Sequence, residues 1–542
     1  FLAACEGKPD PWIDLLLKDT PTPETVSEVE LGLLHKDAWS CVSTSDALML
    51  RFPEYRELRD KARSEYTQED FLALKAWFEI AWFDPDFLRS AVVMPNGWVV
   101  DLSDILDEHA DGTFWLAQPI TEELCNRLVA EEYKIMANVI PIHQQLLYHA
   151  DTGEGQIEVL TTPFYHPILP LIVNTELARE NQPFDSLPDP PYQFSMDAFD
   201  QVAKAVKFYT DVFGIPPLGM WPGEGSVAED VVPMFVDNGI RWIATGQGVL
   251  GNSNPSGQAH WYAYKVDGDS QMGTGGSTDD ELAIVFRDDG LSNAIGFRFQ
   301  GMTGEEATAS FMNDVYAQAP SLGEPDRLLT VIMDGENAWE NYVRDHDAKN
   351  FLHTLYRTLE DAYDAGEVIT VTGSEYIMGN AARNVPAHPV TEMSELEPLS
   401  AGSWIDGTFG IWVGEPEENV AWGCLLKTRQ DLERSGLPRP NPLADPPADT
   451  GSDAYKIYMA WEEMYAAEGS DWFWWFGSDM ITPANDDTPF DRGFRAHLAG
   501  VYSFMRQVNP SIEEFICPVI IQESGKTPLG PFTTPPQIDG AF

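Results

Sequence analysis

Two periodicities divide this chain. Over residues 54–89, apolar positions recur about every 3.6 residues among many charges, which predicts helix, with a break at Asp84-Pro85. The same spacing predicts helices over 122–145 and 197–213, the second stopped by Gly214. Beyond that, short apolar runs alternate with helical patterns. Strands are predicted over 155–160, just before Glu224, and over 241–245, 282–287, 295–299, 328–334 and 368–372. Helices are predicted from Ser226, where Ser226 and Glu229 make a capping-box pattern, and over 307–317 and 351–363. Alternation of this kind points to parallel βα units. Past about residue 385 the pattern changes. A Pro-rich acidic link leads to helical patterns over 418–435, 453–468 and 491–507. Residues 438–449 read as a Pro-rich loop, and the segment after Asn509 as an extended tail.

Composition narrows the partners. The chain has 542 residues, 43% of them hydrophobic and 12% aromatic, enough for large packed cores and contrary to disorder. Lys and Arg total 33 against 87 Asp and Glu, a formal net charge of -54. Nucleic acid and anionic membrane surfaces are therefore not expected as partners, because both need a basic face. An acidic excess of this size repels itself at low salt, and halophilic proteins carry it to stay soluble in brine. An ordinary acidic secreted enzyme is the plainer alternative. No apolar stretch reaches the ~18 residues of a membrane span. The start, Phe1-Leu2-Ala3-Ala4-Cys5, lacks a positive region and is too short for a signal peptide, so the chain is expected to begin inside a larger protein. The compartment stays open, extracellular or cytoplasmic in a salt-adapted organism. The five cysteines form no CxxC pair, so neither a zinc site nor a dense disulfide framework is indicated.

Two acidic motifs carry the candidate chemistry. One is Trp221-Pro222-Gly223-Glu224-Gly225-Ser226-Val227. The other runs from Leu328 through Asp334-Gly335-Glu336 to Trp339 and Glu340. Each puts a carboxylate at the carboxyl end of a predicted buried strand, where catalytic side chains collect in parallel barrels. An acid at a helix start is favourable on electrostatic grounds alone, and Asp-Gly is turn chemistry. Neither explains two acids at corresponding strand ends, 110 residues apart, each beside tryptophan. Paired carboxylates with flat aromatic platforms suggest sugar-bond hydrolysis. Arg287-Asp288 ends another strand and could position a carboxylate or substrate. Glu158 could pair with a cation. Asp267 to Asp269 and Asp486-Asp487 are loose acid clusters without an EF-hand pattern, so no metal and no cofactor are predicted.

At this point the chain resembles glycoside hydrolase family 57, in the branch of amylopullulanases and related α-amylases. Gly155 through Tyr165-His166-Pro167 to Pro170 resembles a signature segment of that family. Trp221 to Val227 is similar to the segment holding the nucleophile, which maps onto Glu224. Leu329 to Glu340 is similar to the segment holding the acid/base, which maps onto Asp334. Gly402-Ser403-Trp404-Ile405, Glu468 through Asp471-Trp472-Phe473-Trp474-Trp475, and Trp77 to Pro85 resemble the amylopullulanase branch. The resemblance implies substrate contacts at His166, Trp221, Glu336, Trp339, Trp404, Asp471 and Trp474. It departs at one point. The family opens with a His-Gln-Pro segment on its first strand, and nothing here matches it; His143-Gln144-Gln145 sits in a helical pattern and is a decoy.

The expected fold is α/β, an incomplete (β/α)7-type barrel lacking its first strand, with an attached helical domain. The barrel is expected over 1–384 with a helical insertion near 40–145. The helical domain is expected over 385–508, contributing to the cleft, and a Pro-rich tail over 509–542. The implied activity is retaining hydrolysis of α-1,4 bonds in starch-like glucans, with cleavage of α-1,6 bonds left open. Glu224 attacks, and Asp334 protonates the leaving oxygen and then activates water. Repulsion from Glu224 and burial against Trp339 are expected to keep Asp334 protonated. The alternatives are a 4-α-glucanotransferase or branching enzyme, a catalytically impaired glucan-binding protein and, more remotely, a metal-dependent deacetylase.

Overall fold

The computed structural model describes residues 11–36, 40–269, 280–335, 339–345, 347–482 and 486–521. Residues 15–129 bury a core of their own, with Tyr55, Trp77, Phe52 and Phe114 fully enclosed. The helical stretch expected over 54–89 is three helices, Pro53–Asp60, Gln68–Trp82 and Pro85–Arg89. Asp84-Pro85 acts as a start signal there: the Asp84 side chain accepts from the Asp86 N–H, and Pro85 takes the first helical position. Two small antiparallel hairpins follow, β1 (Val92–Val93) with β2 (Val99–Val100) and β3 (Leu106–Glu108) with β4 (Phe114–Leu116). The helix Glu122–Leu146 then leads toward the main sheet. His143 lies on it, as expected of a decoy.

The main sheet has the order β5-β6-β8-β7-β9, where β5 is Gly219–Met220, β6 Trp242–Thr245, β7 Tyr264–Asp267, β8 Glu281–Phe286 and β9 Ser394–Glu395. β5, β6 and β8 run parallel; β7 is antiparallel to β8. Single parallel bridges add further runs, Thr161 beside Met220 of β5 and Thr330 beside Arg287, the residue after β8.

Side-chain alternation along these runs separates two layers. Ile243, Leu282, Ile284 and Phe286 face one core, shared with the surrounding helices. Trp242, Ala244, Ala283 and Val285 face another, joined by Leu160, Trp221, Leu328, Ile332 and Tyr376. The 328–333 run obeys the same rule, since Leu329 and Met333 pack on a third cluster behind it. The runs carrying Leu160, Trp221, Leu328 and Ile332 therefore share one inner face with β6 and β8. The Glu158 carboxylate accepts from the Ser374 N–H at 2.9 Å and from the Trp242 indole N–H at 3.4 Å. Neutral donors hold it, and not the cation the sequence suggested.

The helices Ser195–Phe213, Pro416–Arg434, Asp453–Ala467 and Thr488–Val508 close over the outer face and share its core. A disulfide joins Cys424 to Cys517 across 93 residues, a pairing that scattered cysteines did not announce. No helix of the described residues is long and apolar enough to cross a membrane.

Several expectations need correction. The runs 155–160 and 328–334 pair only through single bridges, at Ile157 and Thr330, and 368–372 forms no strand. The strand over 295–299 is helical, a π-turn Ala294–Arg298 continuing the Asp288-capped helix Asp289–Asn293; Ile295 and Phe299, four apart, fit a helical face. No helix starts at Ser226 either. Its hydroxyl is buried without a partner, Glu229 caps the Leu399 N–H instead, and helix begins at Val232.

Candidate active site

Glu224 sits four residues beyond the end of β5, in the turn Gly223–Gly225. Its backbone is left-handed, φ 54° and ψ 30°. For a residue other than glycine such a conformation costs on the order of 1–3 kcal/mol and persists only where neighbours dictate it. They do so here. A Cβ on Gly223 would stand 2.5 Å from the Pro167 carbonyl oxygen, and one on Gly225 would stand 2.9 Å from the Trp221 ring. The flanking glycines thus let the turn press between two chain segments and aim the Glu224 side chain out of the sheet. Val227 and Gly402 exchange backbone hydrogen bonds of 2.8 and 3.0 Å, which fixes the Trp404 segment alongside.

Two side chains bracket the Glu224 carboxylate, itself 19% exposed. The Trp404 indole N–H donates to Oε2 at 3.0 Å. His166 Nδ1 lies 4.0 Å from Oε1 and 2.9 Å from the Ser470 hydroxyl. Trp221 meets Trp404 edge to face, with ring centroids 5.2 Å apart. The structure therefore gathers Glu224, His166, Trp221 and Trp404 at one place. Ser470 was not foreseen; its only sequence signal is its position beside the Asp471-Trp472 motif.

Asp334 also lies four residues beyond a parallel pairing, that of Thr330 with Arg287. Laid flat, three strand spacings of about 4.8 Å would put the two acid-bearing runs about 14 Å apart. Trp221 and Ile332, just before the two acids, pack on the same inner cluster. Arg287 spans the gap. Its guanidinium stands 5.4 Å from the Trp404 ring, and its Nε donates to the Ile332 carbonyl at 2.8 Å. Its remaining donors go to Asp289 and Asn293. So Arg287 is a strut between the two acidic segments. The adjacent Asp288 caps a helix. Burial pushes its carboxyl up, but hydrogen bonds from His260 and the Leu291 N–H outweigh that and hold it below the usual range.

Asp334 is exposed, so the expected burial against Trp339 is not found. Trp339 turns away to pack on Tyr342 and the cluster behind the sheet. Glu336 lies outside the described residues. Asp471 is exposed in the first turn of the short helix Ser470–Trp474, and Trp474 packs against Trp412 in the outer core. Those two were inferred from their motif, which places Ser470 against His166 instead.

Behind His166 lies a buried polar network. Gln201 accepts from the Tyr165 N–H at 2.7 Å and donates to Glu468 at 2.6 Å. Tyr192 donates to the other Glu468 oxygen. Burial, reinforced by nearby Asp197, pushes the Glu468 carboxyl well up. Asp197, fully buried, is held by Arg429 and Arg439.

Residues 54–389, well over half of the chain, match the profile of glycosyl hydrolase family 57. A comparison with curated proteins gives no match. Among solved structures the chain is similar to a branching enzyme from Pyrococcus horikoshii, with 15% identity and TM-score 0.47 over 74% of this chain and 79% of that one. It is also similar to an α-amylase from Thermotoga maritima, with 12% identity and TM-score 0.45 over 72% and 74%. A third is the 4-α-glucanotransferase from Thermococcus litoralis, with 13% identity and TM-score 0.45 over 70% and 52%. On the extent of the profile match, the chain belongs to glycosyl hydrolase family 57.

Proposed function

We propose that this chain hydrolyses α-glucosidic bonds of starch-like glucans with retention of configuration, in the manner of the amylopullulanase and α-amylase branch. One observation carries the reading: Trp221 and Ile332 enter the same inner cluster, and each is followed within three residues by an acid, Glu224 or Asp334, beyond a parallel strand end. The architecture we infer is an incomplete (β/α)7-type barrel with the 385–508 helices attached; the several chain runs that share the inner cluster support it.

In this reading a Glu224 oxygen forms the bond to the anomeric carbon. The glycosidic C–O bond breaks, and Asp334 gives its proton to the leaving oxygen. A water molecule then loses a proton to Asp334 and displaces Glu224. Such a double displacement needs the carboxyls about 5–5.5 Å apart. Trp404 holds the oxygen of Glu224 that becomes the ester carbonyl, and Trp221 and Trp404 offer faces for sugar rings. The exposure of Asp334 favours water as acceptor over a second sugar.

The test is product analysis by NMR on maltooligosaccharides and pullulan. Initial release of α-anomers without longer chains is expected. Glu224→Gln should lower turnover by roughly a thousandfold, since it removes the bond-forming group. β-Anomers first would rule out retention, longer oligosaccharides would indicate glucan transfer, and unimpaired Glu224→Gln would end the assignment.

A further inference from the structure

The geometry points to a calcium site at the start of the helix Pro416–Arg434, built from Glu415, Glu418 and Asp479. One carboxylate oxygen of each lies within 4.8 Å of the other two. Acids cluster readily on so acidic a chain, and clustering alone would say little. Glu418 adds a separate observation. Its side chain is wholly buried, with 0% exposure. Oε2 accepts from the Glu415 N–H at 2.9 Å, while Oε1 is buried with no hydrogen-bond partner. That oxygen faces the cluster: a Cβ built on Gly477, which would stand 2.0 Å from Glu415 Oε2, lies 3.2 Å from it. Among the described residues no Lys, Arg or His pairs with Glu415, Glu418 or Asp479. Asp185 adds to the negative field around them.

A buried carboxylate oxygen without a partner costs a large part of its lost hydration. Either a proton or a cation must supply what the fold does not. Burial and the neighbouring acids push the Glu418 carboxyl up to about 9, so the proton is the rival occupant. Two features favour the cation. The donors are all carboxylates, which suits a hard ion and not zinc or copper. The spacing also admits calcium: the oxygens lie within 4.8 Å of one another, and calcium's flexible coordination suits three carboxylates better than magnesium, which demands near-ideal octahedral geometry and dehydrates reluctantly. Elsewhere the acids are already used. Asp267 and Asp486 accept from the N–H groups of Asp269 and Thr488, so the two clusters apparent in the sequence are turn caps. The Glu415 oxygens take the Ser478 hydroxyl and N–H, which leaves each with a lone pair for the ion. An ion there would fasten the helix start to the 477–479 segment, just beyond the helix that carries Ser470.

The test is calorimetric titration of chelator-treated full-length protein with calcium chloride in molar KCl. At 1 M salt the Debye length is about 3 Å, so diffuse binding to the acidic surface is suppressed. One saturable site is expected, together with a thermal midpoint that rises on adding calcium; magnesium should bind at least tenfold more weakly. Asp479→Asn, at an exposed position that does not threaten folding, should weaken calcium at least tenfold. Glu418→Gln mimics the protonated acid and should abolish the calcium response. Absence of a saturable site in the parent protein would overturn the proposal, as would unchanged affinity in Asp479→Asn. A parent protein indifferent to calcium beside an equally stable Glu418→Gln would assign Glu418 to the proton.

Discussion

Replacing Trp404 by Phe isolates the hydrogen bond that orients Glu224. The substitution keeps an aromatic ring against Trp221 and Arg287 but removes the indole N–H that donates to Oε2 at 3.0 Å. A hydrogen bond to a charged acceptor contributes about 1.5–3 kcal/mol. The lower end applies, because Glu224 is 19% exposed and water can replace part of the donor. A second consideration points the same way. The carboxylate loses charge as its ester forms, so part of the bond is spent on the ground state and does not lower the barrier. What remains is orientation, which keeps Oε1 as the attacking atom. About 1.4 kcal/mol corresponds to tenfold in rate. We therefore expect kcat/KM on maltooligosaccharides to fall about tenfold, with a thermal midpoint within a few degrees of the parent protein. A fall below twofold would show that Trp404 does not hold the nucleophile. A thousandfold fall at unchanged stability would assign Trp404 a direct part in the chemistry.

Three further outcomes follow from the charge, the disulfide and the buried network. Between low salt and molar KCl the Debye length drops from roughly 30 Å to about 3 Å, so with 87 acids against 33 bases the thermal midpoint should rise substantially; a flat profile would reject salt adaptation. Reducing Cys424–Cys517, or replacing both cysteines by Ser, should destabilise the protein by about 4–5 kcal/mol on the chain-entropy account of a 93-residue closure, read as a lower denaturation midpoint in reductant; an unmoved midpoint would show the tail is held by packing alone. Arg429→Met leaves fully buried Asp197 with a single partner, and denaturant unfolding should report a loss of about 3–5 kcal/mol, whereas a loss under 1 kcal/mol would mean Arg439 alone compensates.

The sequence made the strand ends legible because two signals coincide there. Apolar runs such as Trp242–Thr245 and Glu281–Phe286 are buried on both faces, as continuous hydrophobic strands are, and each ends on a polar or glycine turn. Glu224 stood out for the same reason. What the sequence could not distinguish was a helical face from a strand of similar length, as at Ile295 and Phe299. Nor could it foresee β7, whose two inward residues, Tyr264 and Val266, are too few to set a period. Asp334 was expected to be buried because Trp339 is near in sequence. That ring packs on Tyr342 instead, in the cluster behind the run. Ser470, Gln201 and Arg429 were invisible for a deeper reason. Each acts through a partner more than 200 residues away, and hydrogen bonds between distant segments leave no local pattern.

The sheet and the helices divide the work on Glu224. β5 and its turn fix where the acid stands; turning its carboxyl group is a separate task. That falls to Trp404, outside the strands, and to His166, whose ring is held by Ser470 on the helical side. Ser470 in turn accepts its register from the chain around it: its N–H donates to the His166 carbonyl at 3.0 Å, and neighbouring Glu468 is tied through Gln201 to the Tyr165 N–H. The network is therefore a double clasp between two segments some 300 residues apart. Buried polar networks of this kind are poor sources of stability, because desolvation offsets most of what their hydrogen bonds contribute. An apolar core would hold the same helices at least as firmly. It would not fix their register to within the fraction of an ångström that separates a 2.9 Å contact at His166 from none, and in the proposed mechanism the orientation of Glu224 depends on that register.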